Sequence, residues 1–241
     1  RSRGLGDVYK RQIFIVDFIL IIPAFIGIWF MPEPVKNKQK FKIEVQKLSV
    51  PSDIRSTFIY AVIPVFVGFS MLGLFTAISP NFLGDILNIT NKAVIGVMVF
   101  LIFCASTLGQ LLFKSKSDYH ILMLGSGTLI VGVILVGLSI QFESFLILFI
   151  GAIISGFGQA FSFRAGLSTV NAVAPEDKQA EITSTFFTIA YIAISIPVVG
   201  VGLLELGLGI KLAGIVFSII IVILAILSLI LLLANKKKSN S

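Results

Sequence analysis

Seven long apolar stretches dominate this chain of 241 residues. Hydrophobic residues make up 56% of the sequence, and the mean hydropathy is +1.03. A bilayer core about 30 Å thick needs roughly 20 residues of helix at about 1.5 Å each. The stretches do not alternate apolar and polar residues as barrel strands do. An all-α integral membrane fold is predicted, with spans at 13–31, 58–79, 93–113, 121–140, 145–163, 183–206 and 212–234.

Basic residues occupy every second loop between these stretches. The basic positions are loop 32–57, then Lys114 and Lys116, then Arg164 and Lys178, and finally Lys236, Lys237 and Lys238. The opposite loops hold only Lys92 and Lys211. Because positive charge marks the cytoplasmic side, the C-terminal tail 235–241 is predicted to be cytoplasmic, and the first span is predicted to start outside.

Residues 1–12 do not fit this charge pattern. Four of them are basic and would lie on the wrong side of the membrane, and the segment begins without Met. Its GDVYKRQ stretch resembles translated sequencing-adapter sequence. We predict that residues 1–12 are a non-native, adapter-derived tail and that the chain is a truncated copy. Without this tail the formal net charge falls from +7 to +4, so the basic character reflects membrane topology and not nucleic-acid binding.

Reactive side chains are scarce in the sequence. The one Cys, Cys104, lies within an apolar span, and the one His, His120, lies at a loop edge. The sequence has no nucleophile elbow, phosphate-binding loop or zinc-ligand spacing. We therefore predict no enzymatic activity, no catalytic residue, no cofactor and no metal site.

Small residues and prolines shape the spans. The small residues of the fifth span recur at i, i+4, i+7 and i+11, as Gly151, Ser155, Gly158 and Ser162, with Gly156 predicted to widen their face. Such a stripe lets a neighbouring helix approach closely. Pro64 and Pro197 interrupt the second and sixth spans and are predicted to bend them. Carriers, channels and passive helix bundles all use these features.

Three segments resemble the major facilitator superfamily of secondary transporters, whose two six-helix halves are joined by a basic cytoplasmic loop. They are WFMPEPVKNKQK, FVGFSMLGLFTAISPNFLGDIL and the turn APEDKQAE before a small-residue helix. The resemblance implies that 13–31 is the last helix of the N-terminal half, 32–57 the central loop and 58–234 the six-helix C-terminal bundle. The loop GQLLFKSKS departs from the family pattern, because it lacks the Asp and most of the basic run.

The resemblance also implies a function. Two halves would rock about a midplane site and move a small-molecule substrate by alternating access. Family frequency favours proton-coupled efflux across a bacterial plasma membrane. The missing N-terminal half would be the main partner besides the lipid bilayer, so the truncated copy is predicted to be inactive alone. A non-transporting membrane scaffold or sensor is the alternative, and an integral-membrane enzyme is a third.

Eight residues are candidates for the transport pathway and its gate. Gln159 and Tyr191 would either bind substrate or form interhelical hydrogen bonds, and Asp17 is a candidate for proton coupling. Arg164 closes the predicted fifth span, either as a snorkelling cation or as a gate residue. Its predicted gate partners are Asn171, Glu176, Asp177 and Glu181.

Overall fold

The computed structural model describes residues 3–31, 48–112 and 117–239, with side chains from 14–31, 48–112 and 117–235. All regular structure in these residues is helical, which confirms the predicted all-α fold. The helices are α1 (Arg3–Trp29), α2 (Arg55–Asn81), α3 (Lys92–Leu112), α4 (Asp118–Gln141), α5 (Phe145–Val173) and α6 (Gln179–Ser239). Residues 32–47 of the central loop, Lys114 and Lys116, and the last two residues of the tail lie outside the described ranges.

Two compact units make up the chain, Arg1–Val45 and Gln46–Ser241. The first unit contains α1, whose apolar part is the short helix Phe14–Trp29 with exposed side chains. The helix begins at Arg3, upstream of the predicted first span. Hydropathy marks the part of a helix that lipid can solvate, and the backbone continues to make helical hydrogen bonds beyond it.

The second unit contains five helices that are long and apolar enough to cross a membrane: Arg55–Ile86, Lys92–Leu112, Asp118–Gln141, Phe145–Val173 and Glu176–Asn235. The last has 60 residues, against 21 to 32 for the other four. Inside it Gly209 has φ 75° and ψ 161°, a conformation open almost only to glycine. This break divides α6 into a first arm, 179–208, and a second arm, 210–239.

The two arms of α6 fold back against each other. A Cβ atom added at Gly200 would lie 2.2 Å from the ring of Phe217, so the arms pack closely on either side of Gly209. Each arm is about 45 Å long at 1.5 Å per residue, enough to cross a bilayer. Within the described residues, the second unit is therefore a bundle of six helical segments, namely α2 to α5 and the two arms of α6. The count of seven spans for the whole chain stays a prediction.

α5 packs against α2, α3 and α4. The stripe of Gly151, Ser155, Gly158 and Ser162 packs against α4, where Gly125 faces Ser162 and Gly132 faces Ser155. These pairs show that α4 and α5 run antiparallel. Gly156 was predicted to widen this face, and that prediction is wrong. It packs on α3 instead, where Ile102 O lies 2.5 Å from an added Cβ. At 100° per residue, Gly156 lies on another side of the helix from the stripe.

Hydroxyl groups mark the direction of the α6 arms. The first arm runs parallel to α2, because the start of α2 packs near Phe186 and Ser70 of α2 contacts Ala193 further along. The second arm runs antiparallel to α4, because Ser126 bonds Ser228 while Gly137 faces Ser218. Alternate crossing of a membrane by successive helical segments requires these directions.

Three predicted loops are wrong in their bounds. Loop 80–92 is shortened because α2 reaches Asn81 and a π-helical segment, Phe82–Ile86, extends it. Loop 164–182 is shortened because α5 reaches Val173 and a 3-10 turn, Glu176–Lys178, leads into α6. Loop 207–211 is helical apart from Gly209. Polar residues can continue a helix at the membrane surface, since water solvates their side chains while the backbone bonds stay internal.

Candidate functional site

Arg164 links α5 to the described end of α3. It lies inside α5, which continues to Val173. Because a helix can extend beyond its lipid-embedded part, the prediction that Arg164 closes a span stays a prediction. Arg164 Nη1 donates a hydrogen bond of 2.8 Å to Gln110 O. That carbonyl lies near the end of the described part of α3, which reaches Leu112. The guanidinium therefore joins α5 to α3 through a charged hydrogen bond.

The other predicted gate residues lie at the same end of the bundle but on three different elements. Asn171 is on α5, Glu176 and Asp177 are in the 3-10 turn, and Glu181 is in the first turn of α6.

Two hydrogen bonds tie these elements together. Thr183 Oγ1 donates to Asn171 Oδ1 at 3.3 Å, and Ser49 Oγ donates to Glu181 Oε1. The ion pair found among the described residues joins Lys211 to Glu143. Pairing of Arg164 with the predicted carboxylates is therefore not seen in the described part of the chain and stays a prediction.

Gln159 is buried where α2, α3 and α5 meet. Its side chain is 3% exposed, and its Oε1 accepts a hydrogen bond of 2.5 Å from Ser106 Oγ on α3. On its other side a Cβ added at Gly68 of α2 would lie 3.2 Å from Gln159 Cα. Of the two roles predicted for this residue, the structure places it in an interhelical hydrogen bond.

Tyr191 has the opposite environment. Its side chain is 65% exposed on the first arm of α6, in an open groove of about 650 Å³. The groove is lined by Thr188, Tyr191, Ile192, Ser195, Ile196, Val199 and Gly200. The Thr188 and Ser195 hydroxyls donate to carbonyls of their own helix, each at 2.8 Å. Among the described residues the Tyr191 phenol has no hydrogen-bond partner, so it remains able to bind a solute.

Asp17 lies on α1, in the first unit, with its side chain exposed. Gln159 and Tyr191 occupy separate places in the second unit. The three candidate pathway residues therefore do not form one cluster within either unit. In the described ranges no three His, Cys, Asp or Glu side chains come together as a metal site would require.

Pro197 has a structural consequence that joins two helices. Proline cannot donate to the carbonyl four residues before it, here Ala193 O. Ser70 Oγ on α2 donates to this oxygen at 3.2 Å. Beside it, Gly73 allows the backbone of α6 to approach, since an added Cβ would lie 2.2 Å from Ile194 O. A serine thus replaces the bond that the proline removes, as neighbouring helices do within membranes.

An aromatic cluster joins α2, α5 and the first arm of α6. It consists of Phe69, Phe163, Phe186 and Phe187, with ring centroids 5.6 to 6.1 Å apart. Such spacings are typical of favourable ring contacts. The sequence contains 22 Phe residues, and no spacing signal separates these four from the rest.

The comparisons with known proteins agree with the helical architecture. The family model of the Major Facilitator Superfamily matches residues 5–198. The match runs from within the segment 1–12 through α1 to α5 and into the first arm of α6. No curated protein and no solved structure matches the chain. The matched region covers well over half of the sequence, and the chain therefore belongs to the major facilitator superfamily of secondary transporters.

Proposed function

We propose that the chain contributes the last helix of the N-terminal half and the whole C-terminal half of a transporter that moves a small solute by alternating access. The second unit with its six helical segments, the basic segment before it and the family match support this assignment. The N-terminal half, the direction of efflux and the coupling to protons are part of the proposal. Two halves that rock about a shared site expose it to each side in turn.

The groove around Tyr191 supports a solute pathway. Its seven lining residues all belong to one face of the first arm of α6, so the opposite wall of a binding site would come from another part of the transporter. The lining is mostly aliphatic and carries one phenol that is free to bond. This combination suits a small, largely apolar solute that offers one hydrogen-bond acceptor or donor. The groove is open on one side, and we propose that the N-terminal half closes it.

The end of the bundle that contains Arg164 would form the cytoplasmic gate. There the Arg164 guanidinium bonds Gln110 O of α3, and side-chain bonds join Ser49 to Glu181 and Thr183 to Asn171. These contacts connect the last part of the central loop with α6, and α5 with α3 and α6. A rocking motion would have to move them together, because they cross between helices.

The test is solute binding by the purified chain. A panel of small amphipathic compounds is screened for a rise in melting temperature, and each hit is repeated on Tyr191→Phe and on the control Tyr60→Phe. We expect Tyr191→Phe to lose most of the rise, because the free phenol is gone, and Tyr60→Phe to retain it. A rise that survives in Tyr191→Phe would overturn the pathway assignment. If the complete protein, with its N-terminal half, also gave no hit, a non-transporting scaffold would be favoured.

Transport itself is tested in proteoliposomes with an imposed proton gradient. We expect no solute flux from this chain alone. We expect proton-dependent solute flux from a complete protein that also contains the N-terminal half. Flux from residues 13–241 alone would contradict the need for a second half. Flux from the complete protein that ignores the gradient would contradict proton coupling. Labelling of Lys236, Lys237 and Lys238 from outside intact cells would contradict a cytoplasmic tail in the plasma membrane.

A further inference from the structure

A second groove lies between α4 and the second arm of α6. We propose that it binds one acyl chain of a bilayer phospholipid, with the zwitterionic headgroup on the ion pair of Lys211 and Glu143. The groove has a volume of about 340 Å³. Its lining is Val133, Ile134, Gly137, Leu138, Gln141, Ile215, Ser218, Ile219, Val222 and Ile223.

The groove exists because two small residues face each other. A Cβ added at Gly137 would lie 3.2 Å from Ser218 Cβ. The Ser218 hydroxyl is turned to Gly214 O of its own helix at 2.8 Å, so it offers no free polar group to an occupant. The remaining walls are aliphatic, apart from Gln141 at one end. Such aliphatic walls make favourable dispersion contacts with the methylene groups of an acyl chain.

The dimensions of the groove match one leaflet. Along α4 it extends from Val133 to Gln141, about 12 Å at 1.5 Å per residue. A leaflet contributes about half of the hydrocarbon core of roughly 30 Å. The rim residues Ile134, Leu138 and Ile219 are exposed, as expected for a surface that lipid tails cover. The groove therefore runs from one membrane surface to near the midplane.

The charges at the polar end match a headgroup. Lys211 Nζ lies 2.9 Å from Glu143 Oε1, and both side chains are largely exposed. Glu143 follows Gln141 in the turn after α4, and Lys211 is one helical turn before Ile215. The ammonium can donate to a lipid phosphate while the carboxylate accepts from a primary ammonium headgroup. Because the pair has no net charge, a zwitterionic lipid fits it better than an anionic one.

The experiment counts phospholipids on the purified chain by native mass spectrometry in a mild detergent with equal amounts of phosphatidylethanolamine and phosphatidylglycerol. Ile134→Trp and Ile219→Trp fill the groove from its rim. Val131→Trp and Ile220→Trp are matched controls, because both positions are exposed on the same helices and neither lines the groove. All four positions are exposed, so folding is expected to persist.

We expect the wild type and the controls to retain one phosphatidylethanolamine, and the groove-filling variants to lose it. Lys211→Gln should lower the bound fraction about two- to fivefold, as for an exposed charge contact. Equal retention in filling and control variants would overturn the groove as a lipid site. Equal binding of both lipids would overturn the headgroup assignment. A dimer that only the filling variants disrupt would assign the groove to a second copy of the chain instead.

Discussion

α2 and α3 differ in environment although their sequences are equally apolar. The most apolar windows of the two spans have the same mean hydropathy, yet 72% of the α2 window is buried in the bundle and only 28% of the α3 window. Lipid tails are as apolar as leucine, so a membrane does not sort large apolar side chains between the inside and the outside of a bundle. Hydropathy therefore identifies a span without placing it.

The contacts of the glycine residues distinguish α2 from α3 better than hydropathy does. Gly68 and Gly73 of α2 lie against the backbones of α5 and α6. In α3, Gly109 packs against α5, whereas Gly96 has open space where a side chain would be. Close approach of backbones replaces the hydrophobic effect as the main source of helix association in lipid. The inner helix is thus the one that other backbones approach on several sides.

The largest expected difference concerns phenylalanine. Phe75 of α2 is 1% exposed, and Phe100 of α3 is 64% exposed. We expect Phe75→Ala to lower the free energy of unfolding by about 3 kcal/mol, because it leaves a cavity in the core. Phe100→Ala should change it by less than about 0.5 kcal/mol. Denaturant titration in mixed micelles, followed by circular dichroism, measures both, and equal losses would contradict the difference in burial.

A smaller difference is expected for glycine. Gly73→Ala should cost about 2 kcal/mol, because its Cβ would overlap the Ile194 carbonyl and force α2 and α6 apart. Gly96→Ala adds the same methyl group to α3, where nothing lies within 4 Å, and should leave stability unchanged or slightly raised. The same titration compares them. If Gly73→Ala were neutral, the close packing of α2 on α6 would be disproved.

The smallest expected effect concerns the carbonyl that Pro197 leaves free. Ser70→Ala removes the hydroxyl that bonds Ala193 O and should cost about 0.6 kcal/mol, the average for interhelical bonds in membranes. Ser195→Ala is the control, since its hydroxyl bonds a carbonyl of its own helix. Thermal unfolding of both variants in detergent measures the difference. A loss as large in Ser195→Ala would mean that Ser70 does not link the helices.

The apolar stretches of the sequence predicted where long helices lie, and the helices extend beyond those stretches. Arg164 was predicted to end a span because its charge interrupts the apolar pattern, and α5 continues past it to Val173, since helix backbone bonds form inside and outside lipid alike. The stripe of small residues on α5 was visible from its spacing. Its partner, α4, was not, because spacing shows which residues share a face and leaves open what that face meets.

The candidate site shows the same limit. Gln159 and Tyr191 were both identified as polar residues within spans, and the sequence left two roles open for each. The structure separates them: Gln159 bonds Ser106 inside the bundle, and Tyr191 stays exposed in a groove. Ser70 and Gly73 were missed. Pro197 identifies the carbonyl that loses its bond, but the helix that supplies a donor depends on the fold.

The sequence by itself determined that this protein is built from long apolar helices, because hydropathy reports on interactions with lipid and water that act on each residue in turn, and its segments resemble the major facilitator superfamily, to which the family match assigns the chain. Only the tertiary structure decided which faces are inside, how α6 folds at Gly209 and which polar groups meet. These depend on contacts between residues far apart in the chain, where backbone fit within a few tenths of an ångström determines whether two helices can touch.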